Sequence, residues 1–412
     1  MKILLVHNAY QQWGGEDTVF EQELALLRDA GQQVATYRRS NQEMEDYGLF
    51  DRLVLARNTV WSEKSRRDFA RELARKKPDI VHVHNTFLLI SPSIYWACHD
   101  ANVPVVQTLH NYRLFCPSGD FLRDGKICEE CLEHSLWRSV RYACYRDSRP
   151  QSAIVATMLA YHRHKQTWTR CINLYIALSE FARQKFITAG LPADRLTVKP
   201  NFVHPDPGAQ QSQGEHAIYV GRLSVEKGVQ TLISAWVRLG ISIPLVIVGN
   251  GPLNAPLRAQ VSESGLNNIV FKGRMPRQAT LEAIKGARFL VLPSECYENF
   301  PLTIPEAYAC GVPVIAAAIG ALQELVDEGI TGIKFRAGDA ADLAEKVEWA
   351  WTHPDRTNAM GRQARQAYEE KYTGEKNYAL LMAIYEGVLA RGLGGKPSNF
   401  DLPQPIRRGD KT

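Results

Sequence analysis

The chain has 412 residues, of which 45% are hydrophobic and 23% are charged, and its formal net charge is +5. This length exceeds one typical core and suits two domains of about 150–200 residues each. The mild positive charge is compatible with an acidic ligand or an anionic membrane surface, but it falls short of the clustered basic stripe that nucleic-acid-binding proteins usually carry.

The first half of the chain alternates short apolar runs with helical patterns. Strands are predicted at residues 2–8, 32–39, 79–85, 103–111, 173–179 and 195–201. A helix is predicted at residues 16–31, where apolar residues recur at helical spacing and Gly31 ends the pattern. This βα repetition predicts a doubly wound α/β domain over residues 1–203, with a cysteine-containing insertion at 112–150.

The same rhythm restarts after a stretch rich in Gln, Pro and Gly at residues 204–217. Strands are predicted at residues 216–222, 244–251, 268–274, 287–294 and 312–317, with helices between them, for example at 228–239 and 278–286. A second α/β domain is therefore expected over residues 204–375, and two Rossmann-like domains would face each other across a cleft. A helix at 376–391 has an apolar face and is expected to pack toward the first domain. Residues 392–412, rich in Pro, Gly and charge, are expected to be disordered.

The sequence contains no sign of a membrane span or a leader. No stretch reaches the roughly 18–20 apolar residues that a spanning helix needs. The first run, MKILLVHNAY, breaks into polar residues without a small-residue cleavage site, so it is interpreted as a strand. Eight cysteines are compatible with reduced thiols. We therefore expect a cytoplasmic protein, with peripheral attachment to the inner membrane face as an option.

Two carboxylates eight residues apart stand out in the second domain. Glu298 follows a predicted strand on a loop, and Glu306 lies in the first turn of a helix in which Pro305 suits the start and Gly311 the end. The helix dipole favours a carboxylate at that position, so Glu306 is expected to stay ionised and to accept hydrogen bonds from a ribose diol. By spacing alone, the favoured interpretation is a charge at a helix start plus an unrelated surface carboxylate.

The run from Glu298 to Ala316, ENFPLTIPEAYACGVPVIA, resembles the E-x7-E signature of the retaining glycosyltransferases of family 4, which have the GT-B fold. The resemblance implies that Glu298 contacts the donor sugar as a catalytic residue and that Glu306 binds the nucleotide ribose. It also implies a donor-site loop that includes Asn299, Phe300, Leu302 and Thr303. Pro301 stands where the family often has Gly, which removes one backbone N–H.

The run YVGRLSVEKG at residues 219–228 resembles the family's G-R-x-x-x-x-K-G element. Arg222 and Lys227 are expected to bind the donor diphosphate, because fixed cations stabilise the charge that builds up on the leaving group. The alternative is a surface pair in an ordinary strand–helix loop. Asn250 and Gly251, in VGNGP, are expected to form a second donor-site loop, although Gly-rich turns are common.

The first domain contributes two candidate elements. Gly14 and Gly15 precede a helix, where backbone N–H groups bind phosphate, so they are expected near the donor diphosphate unless they form only a turn. His110 ends a predicted strand and is similar to the family's T-x-H, which implies a catalytic role near the transferred sugar; a core histidine is the alternative. His84 and Asn85, one strand away, are expected to face the acceptor.

Four cysteines lie within or beside the insertion: Cys116, Cys128, Cys131 and Cys144. Only one C-x-x-C pair is present, so the pattern of a zinc ribbon is not met. Four thiols still permit a tetrahedral structural zinc, and four unrelated thiols are equally compatible. A catalytic role is not expected, because four Cys ligands would leave no open coordination position.

A basic and aromatic run follows the insertion. Between residues 138 and 170 the bases are Arg138, Arg141, Arg146, Arg149, Arg163, Lys165 and Arg170, and the interleaved aromatic residues include Trp137, Tyr142, Tyr145, Tyr161 and Trp168. Asp147 is the one acid in that stretch. A membrane surface that presents a lipid-linked acceptor is favoured over a nucleic-acid-binding surface or a plain solvated helix face.

The resemblance covers about residues 1–391 and implies transfer of a hexosyl unit from a nucleotide-sugar donor to a hydroxyl of a glycan or lipid-linked acceptor, with retention. No catalytic cofactor is expected. The chain has no D-x-D motif, so Arg222 and Lys227 are expected to replace a divalent metal. A NAD-dependent oxidoreductase is an alternative, although AYQQWGGEDTV is not a G-x-G-x-x-G fingerprint. A non-catalytic nucleotide-sugar-binding protein, a phosphorylase and an epimerase are further alternatives.

Overall fold

A computed structural model describes residues 1–212 and 214–391 of the chain. Within them the chain forms two α/β units, each built on a six-stranded sheet. The segment 392–412, for which disorder was expected, lies outside the described residues. None of the helices in the described ranges combines the length and hydropathy that a bilayer crossing requires.

The strands of the first unit are β1 (Lys2–Ala9), β2 (Gln33–Ser40), β3 (Ile80–Val83), β4 (Val105–Thr108), the antiparallel hairpin β5 (Leu122–Arg123) and β6 (Lys126–Ile127), β7 (Leu174–Ala177) and β8 (Leu196–Val198). Six of them form a parallel sheet with strand order β2-β1-β3-β4-β7-β8. Its helices are α1 (Gly15–Asp29), α2 (Leu49–Val60), α3 (Glu63–Lys76), α4 (Ile94–Asp100), α5 (Glu130–Glu133), α6 (Trp137–Arg141), α7 (Arg149–His164), α8 (Thr167–Arg170) and α9 (Glu180–Thr188). All six predicted strands of this half are present in the sheet.

The strands of the second unit are β9 (His216–Val220), β10 (Leu245–Val248), β11 (Ile269–Gly273), β12 (Ala287–Leu292), β13 (Val314–Ala317) and β14 (Gly332–Phe335). They form a parallel sheet with strand order β11-β10-β9-β12-β13-β14. Its helices are α10 (Val229–Leu239), α11 (Asn254–Glu263), α12 (Arg277–Lys285), α13 (Thr303–Ala309), α14 (Ala321–Leu325), α15 (Ala340–Thr352) and α16 (Pro354–Lys371). The edge strand β14 is an addition to the predicted set.

In each sheet the strand order reverses between two neighbouring central strands. The reversal lies between β1 and β3 in the first unit and between β9 and β12 in the second. In open α/β sheets a crevice forms at that point, beyond the carboxyl ends of the strands, and ligands bind there. The topology therefore marks the loops after these four strands as the place to look for a site.

The chain passes between the two units twice. Residues after β8 lead into the second unit, and the helix α17 (Gly374–Arg391) returns to the first. The two passages meet where Val203 pairs with Thr373 in an isolated bridge. Leu381, Ile384 and Val388 of α17 share a hydrophobic cluster with residues of β1 and α1. The last described helix thus forms part of the core of the first unit.

Candidate active site

Lys227 and Glu298 form an ion pair at the carboxyl ends of β9 and β12. Lys227 Nζ donates to Glu298 Oε1 at 2.6 Å, and the Ser294 hydroxyl donates to the same oxygen at 2.7 Å. Burial alone would lower the pKa of Lys227, but the Glu298 carboxylate outweighs it and raises the pKa above the usual range. The loops can approach because Gly228 has φ +65°, and a Cβ there would lie 1.8 Å from Pro293 O. A fixed cation and a fixed carboxylate therefore meet where the strand order reverses.

Arg222 lies in a loop that packs on the turn containing Asn250 and Gly251. The Leu223 N–H donates to Asn250 O at 3.1 Å, and a Cβ on Gly251 would lie 2.3 Å from Leu223 O, so only glycine fits there. Asn250 Oδ1 accepts from the Gly251 N–H at 2.8 Å and from Asn254 Nδ2 at 3.1 Å. The contact between the loops explains Gly251, and the exposed Arg222 side chain is accessible to an anion.

Glu306 lies in the first turn of α13, as predicted, but its charge state differs from the expectation. The residue is buried, and burial raises its pKa to about 7 despite the opposing effect of Arg277. Arg277 Nε lies 3.5 Å from Glu306 Oε1, and its Nη2 donates to Gln22 Oε1 of the first unit at 3.0 Å. The expectation of a permanently ionised carboxylate is therefore wrong, because desolvation outweighs the helix dipole. In its protonated form this carboxyl can both donate to and accept from a diol.

Asn299 lies at the contact between the two units, and Phe300 packs within the second. Asn299 Nδ2 donates to Leu109 O of the first unit at 3.2 Å, and Asn299 O accepts from the Ser179 hydroxyl at 3.0 Å. The Phe300 ring is 6% exposed and belongs to the core of the second unit. Asn299 Oδ1 is buried and has no hydrogen-bond partner among the described residues, so the role of these two residues in a donor-site loop stays a prediction.

Leu302 and Thr303 lie opposite the glycine loop of the first unit. A Cβ on Gly15 would lie 3.8 Å from Leu302 Cδ1. Thr303 Oγ1 is buried and has no hydrogen-bond partner among the described residues. The Gly14 N–H donates to Asp17 Oδ2 at 2.8 Å, so the protein itself engages that amide and it is not a ready phosphate ligand. The loop contact nevertheless places the start of α1 beside the start of α13.

His7 near the end of β1 forms a buried cluster with Glu16 and Asp17 in the first turn of α1. His7 Nε2 is 2.8 Å from Asp17 Oδ1, so in the neutral ring Nε2 carries the proton and Nδ1 is an acceptor. Burial raises the pKa of Glu16 to about 8, and its Oε2 accepts from the hydroxyl of Tyr10 at 3.0 Å and from Asn111 Nδ2 at 3.4 Å. The two remaining polar atoms, His7 Nδ1 and Glu16 Oε1, lie 4.0 Å apart and have no hydrogen-bond partner among the described residues. A single ligand hydroxyl placed between them can donate to His7 Nδ1 and accept from the protonated Glu16 Oε1.

His110 belongs to a chain of buried hydrogen bonds that fixes its tautomer. His84 Nε2 lies 3.1 Å from Glu23 Oε1, and His84 Nδ1 lies 3.0 Å from His110 Nε2. Burial lowers the pKa of His84 to about 4 and lowers that of His110 well below its usual range, so both rings are neutral. An ionised Glu23 only accepts, so His84 donates to it and accepts from His110 Nε2–H. His110 Nδ1 is thereby left as a hydrogen-bond acceptor.

Glu23 is the centre of this network. Burial alone would raise its pKa, but Lys199 and the two histidines His82 and His84 hold it well below the usual range. Lys199 Nζ donates to Glu23 Oε2 at 3.0 Å and to Asn377 Oδ1 of α17 at 3.1 Å. The ligand atoms of Glu23, His82 and His84 lie close enough to hold a metal ion. The Lys199 ammonium already neutralises that carboxylate, so the residues fit a hydrogen-bond network better than a cation site.

Two family models match the chain. The model described as Glycosyl transferases group 1 matches residues 204–367, and Glycosyltransferase Family 4 matches residues 13–207. The chain belongs to the group 1, family 4 glycosyltransferases. Among relatives of this family, D-rhamnosyltransferase WbpZ of Pseudomonas aeruginosa is 30% identical over 206 residues, 48% of this chain and 53% of that protein. O-antigen chain mannosyltransferase C of Escherichia coli is 28% identical over 174 residues, 42% of this chain and 46% of that protein.

Solved structures with the same fold cover almost the whole chain. The crystal structure of Anabaena Alr3699/HepE in complex with UDP has a TM-score of 0.68 at 19% identity and covers 94% of this chain and 100% of that one. Sucrose-phosphate synthase from Thermosynechococcus elongatus has a TM-score of 0.70 at 19% identity, covering 94% and 99%. This likeness confirms the GT-B fold. The chain spans about half the length of the curated relatives named above.

In this family-4 glycosyltransferase the four insertion cysteines share one environment. Burial and then the thiols of Cys116, Cys144 and Cys128 raise the pKa of Cys131 to about 12. All four are described residues, yet no three of their sulfurs lie within 4.8 Å of one another. Coordination geometry is therefore not met in this conformation, and structural zinc stays a prediction.

The basic and aromatic run of this glycosyltransferase divides between core and surface. Trp168 is 5% exposed and packs in the first unit, whereas Trp137 is 54% and Tyr142 39% exposed. Arg163 lies over the Phe115 ring, and burial lowers its pKa. The run is thus not one continuous patch, because α7 uses part of it to pack.

Several site residues were not recognised in the sequence. Glu23 and Lys199 are 176 positions apart, and Arg277 reaches Glu306 only through the fold. His7 lies near the end of β1 and Asp17 in the first turn of α1, on either side of the predicted glycine loop. A polar His–Asn pair that ends a buried parallel strand was the signal that could have indicated His7.

Proposed function

We propose that this chain transfers a hexosyl unit from a nucleotide-sugar donor to an acceptor hydroxyl with retained anomeric configuration. The ion pair of Lys227 with Glu298 at the reversal point of the second sheet carries the proposal. Family membership supports the activity. HepE, which shares the fold, was crystallised in complex with UDP, and this supports a UDP donor. The names of the two bacterial relatives support polysaccharide or cell-envelope glycan assembly.

On the donor side, each charged group has a proposed task. Arg222 and Lys227 bind the diphosphate and stabilise the negative charge that develops on it as the glycosidic bond breaks. Lys227 has three N–H donors, so it can keep its bond to Glu298 and still donate to a phosphate oxygen. Glu298 accepts hydrogen bonds from hydroxyls of the transferred sugar. Glu306, partly protonated at neutral pH, binds the ribose diol.

The bond changes follow from retention without a protein nucleophile. The acceptor oxygen attacks the anomeric carbon from the face that the diphosphate leaves, and a phosphate oxygen takes the acceptor proton. His110, neutral and with Nδ1 as an acceptor, is proposed to bind a hydroxyl of the transferred sugar. His7 and Glu16 are proposed to bind an acceptor hydroxyl, since they offer one acceptor and one donor 4.0 Å apart.

Two further parts of the proposal concern partners. The acceptor is a glycan or a lipid-linked glycan, and the protein works at the cytoplasmic face of a membrane without a catalytic cofactor.

A structural zinc held by the insertion cysteines is proposed from their shared environment. Metal analysis of the full chain should then find about one zinc per chain. A protein that binds nucleotide but contains no zinc would refute the structural-zinc proposal.

The experiment that tests the activity combines ligand binding with turnover. A thermal-shift screen with UDP, GDP, ADP and their sugar conjugates should identify the base, because a ligand that binds the folded state raises Tm. Release of the nucleoside diphosphate is then followed for wild type and for Glu298→Gln. Glu345→Gln is the matched control, since that side chain is 76% exposed. A protein that binds nucleotide but never turns over a donor, with or without an acceptor, would be the non-catalytic binding protein instead.

A further inference from the structure

α2 presents four large apolar side chains to solvent. Leu49 is 82% exposed, Phe50 76%, Leu53 71% and Val54 39%. Only Thr59 of this helix is buried. A contiguous exposed apolar patch of this kind marks an interaction site, whereas single exposed apolar residues need no explanation.

The apolar face of α2 points away from the unit that carries the helix. At 3.6 residues per turn, positions 49, 50, 53 and 54 fall within an arc of roughly 140°. Leu55 and Thr59 lie on the opposite side, and they are half-buried and buried. The C-terminal end is anchored to α7, where His162 Nε2 lies 2.8 Å from Val60 O. The helix therefore carries apolar residues on two sides, and only one of these sides packs against the rest of the first unit.

Basic and aromatic side chains are exposed on α2 itself and on the helices packed with it on α7. Arg52 and Arg57 are exposed on the same helix. Both α2 and α6 pack on α7, and α6 carries the exposed Trp137. Arg141, Arg146 and Arg149, at or beside the ends of α6 and α7, are exposed and form no ion pair among residues 1–212 and 214–391. Exposed tryptophan and arginine side chains suit the interface between lipid headgroups and acyl chains.

Not all charges near the face favour an anionic surface. Glu45 and Asp46 are exposed just before α2, and Asp51 caps it by accepting from the Gly48 N–H at 3.0 Å. Attraction to anionic lipid must therefore come from the arginines of α2, α6 and α7 together. Burial of the apolar side chains is the larger contribution to binding.

We propose that α2 is a membrane-docking helix, which inserts Leu49, Phe50, Leu53 and Val54 into one leaflet of a bilayer containing anionic lipid. A second copy of the chain is disfavoured, because four side chains on one helix face are far fewer than the roughly 20–30 residues per partner of a stable interface. The helix lies in the plane of the interface and does not span it. This names the membrane partner of the proposed transferase and replaces the 138–170 run as the principal contact.

The test uses the full chain and vesicles, without donor or acceptor. Wild type should co-sediment with phosphatidylcholine vesicles that contain phosphatidylglycerol, and more weakly with phosphatidylcholine alone. The variant Leu49→Ser/Phe50→Ser/Leu53→Ser should lose at least about tenfold in partitioning, because binding scales with the apolar area that is buried. The matched control is Val237→Ser/Ile241→Ser, two residues of the second unit that are 44% and 67% exposed. The control should bind as wild type does.

Two readouts separate membrane docking from the other outcomes. Vesicles should slow amide exchange at residues 49–60, and the α2 variant should keep the wild-type Tm and wild-type donor turnover in solution. Equal vesicle binding by wild type and the α2 variant would overturn the proposal. So would a wild type that ignores vesicles but whose oligomeric state changes in the α2 variant. Neither result would bear on sugar transfer, which the donor assay decides separately.

Discussion

Replacing Glu23 by Gln should strongly destabilise the first unit, because it leaves Lys199 as a buried, unpaired charge. The two side chains are 1% and 2% exposed, and Nζ and Oε2 are 3.0 Å apart. Removing one partner of a buried pair costs about 3–5 kcal/mol, since the remaining ion has neither its partner nor water. At about 2–4 °C per kcal/mol for a unit of this size, Tm should fall by roughly 6–20 °C.

Chemical denaturation followed by circular dichroism and intrinsic fluorescence measures this loss, and the same helix supplies the control. Glu21 pairs with Arg38 at 2.6 Å, but both side chains are about 40% exposed, so Glu21→Gln should cost no more than about 1 kcal/mol. Combining Glu23→Gln with Lys199→Met should regain part of the loss, because no buried charge is then left unpaired. The reasoning is refuted if Glu23→Gln costs no more than Glu21→Gln, or if the double variant loses the sum of both single losses.

Three further outcomes are expected. Glu298→Gln keeps the side-chain shape but removes the charge beside Lys227. Donor turnover should therefore fall at least about 100-fold, which is the effect of losing one preorganised electrostatic contact. A change below threefold in nucleotide release would contradict this prediction. The pKa of Glu306, about 7, predicts that UDP affinity measured by calorimetry changes as the pH rises through 7, and Glu306→Gln should abolish that change. The pKa of the Glu16 carboxyl in the folded protein, about 8, is above that of an ordinary carboxyl. The protonated carboxyl therefore contributes fully to the free energy of unfolding below the ordinary carboxyl pKa, and this contribution is lost as the pH rises through 8. Unfolding titrations of Glu16→Gln should lack that loss, and a wild-type stability that stays flat over this range would count against a buried proton.

The sequence was sufficient for the architecture because parallel strands buried on both faces are continuous apolar runs. KILLVHN and HAIYVGR could be placed as central strands on that ground, and the residues that follow them then lie at the reversal of each sheet. Lys227 and Glu298 were predicted from the resemblance of YVGRLSVEKG and ENFPLTIPEAYACGVPVIA to elements of the family, since their spacing alone favoured an ordinary surface loop. Both lie in loops that follow a central strand, where the structure brings them together.

Contacts between distant parts of the chain could not be predicted in this way. Glu306 was expected to be ionised because a helix start is visible in the sequence, whereas its burial depends on packing against the second unit's core and on Arg277. Asn299 was predicted to belong to a donor-site loop, but the sequence could not show that its Nδ2 donates to Leu109 O of the other unit. The apolar face of α2 was missed because its apolar residues resemble those of an ordinary buried helix until the structure shows which side is covered.

The most direct test of the central claim is nucleoside diphosphate release from a panel of nucleotide-sugars, measured for wild type and Glu298→Gln under identical conditions. The account predicts that wild type releases the diphosphate from at least one donor, that release rises when a competent acceptor is added, and that the variant still binds the nucleotide but releases little of it. Equal release by both proteins would contradict the role of Glu298. A wild type that neither binds nor turns over any donor in the panel would contradict sugar transfer itself.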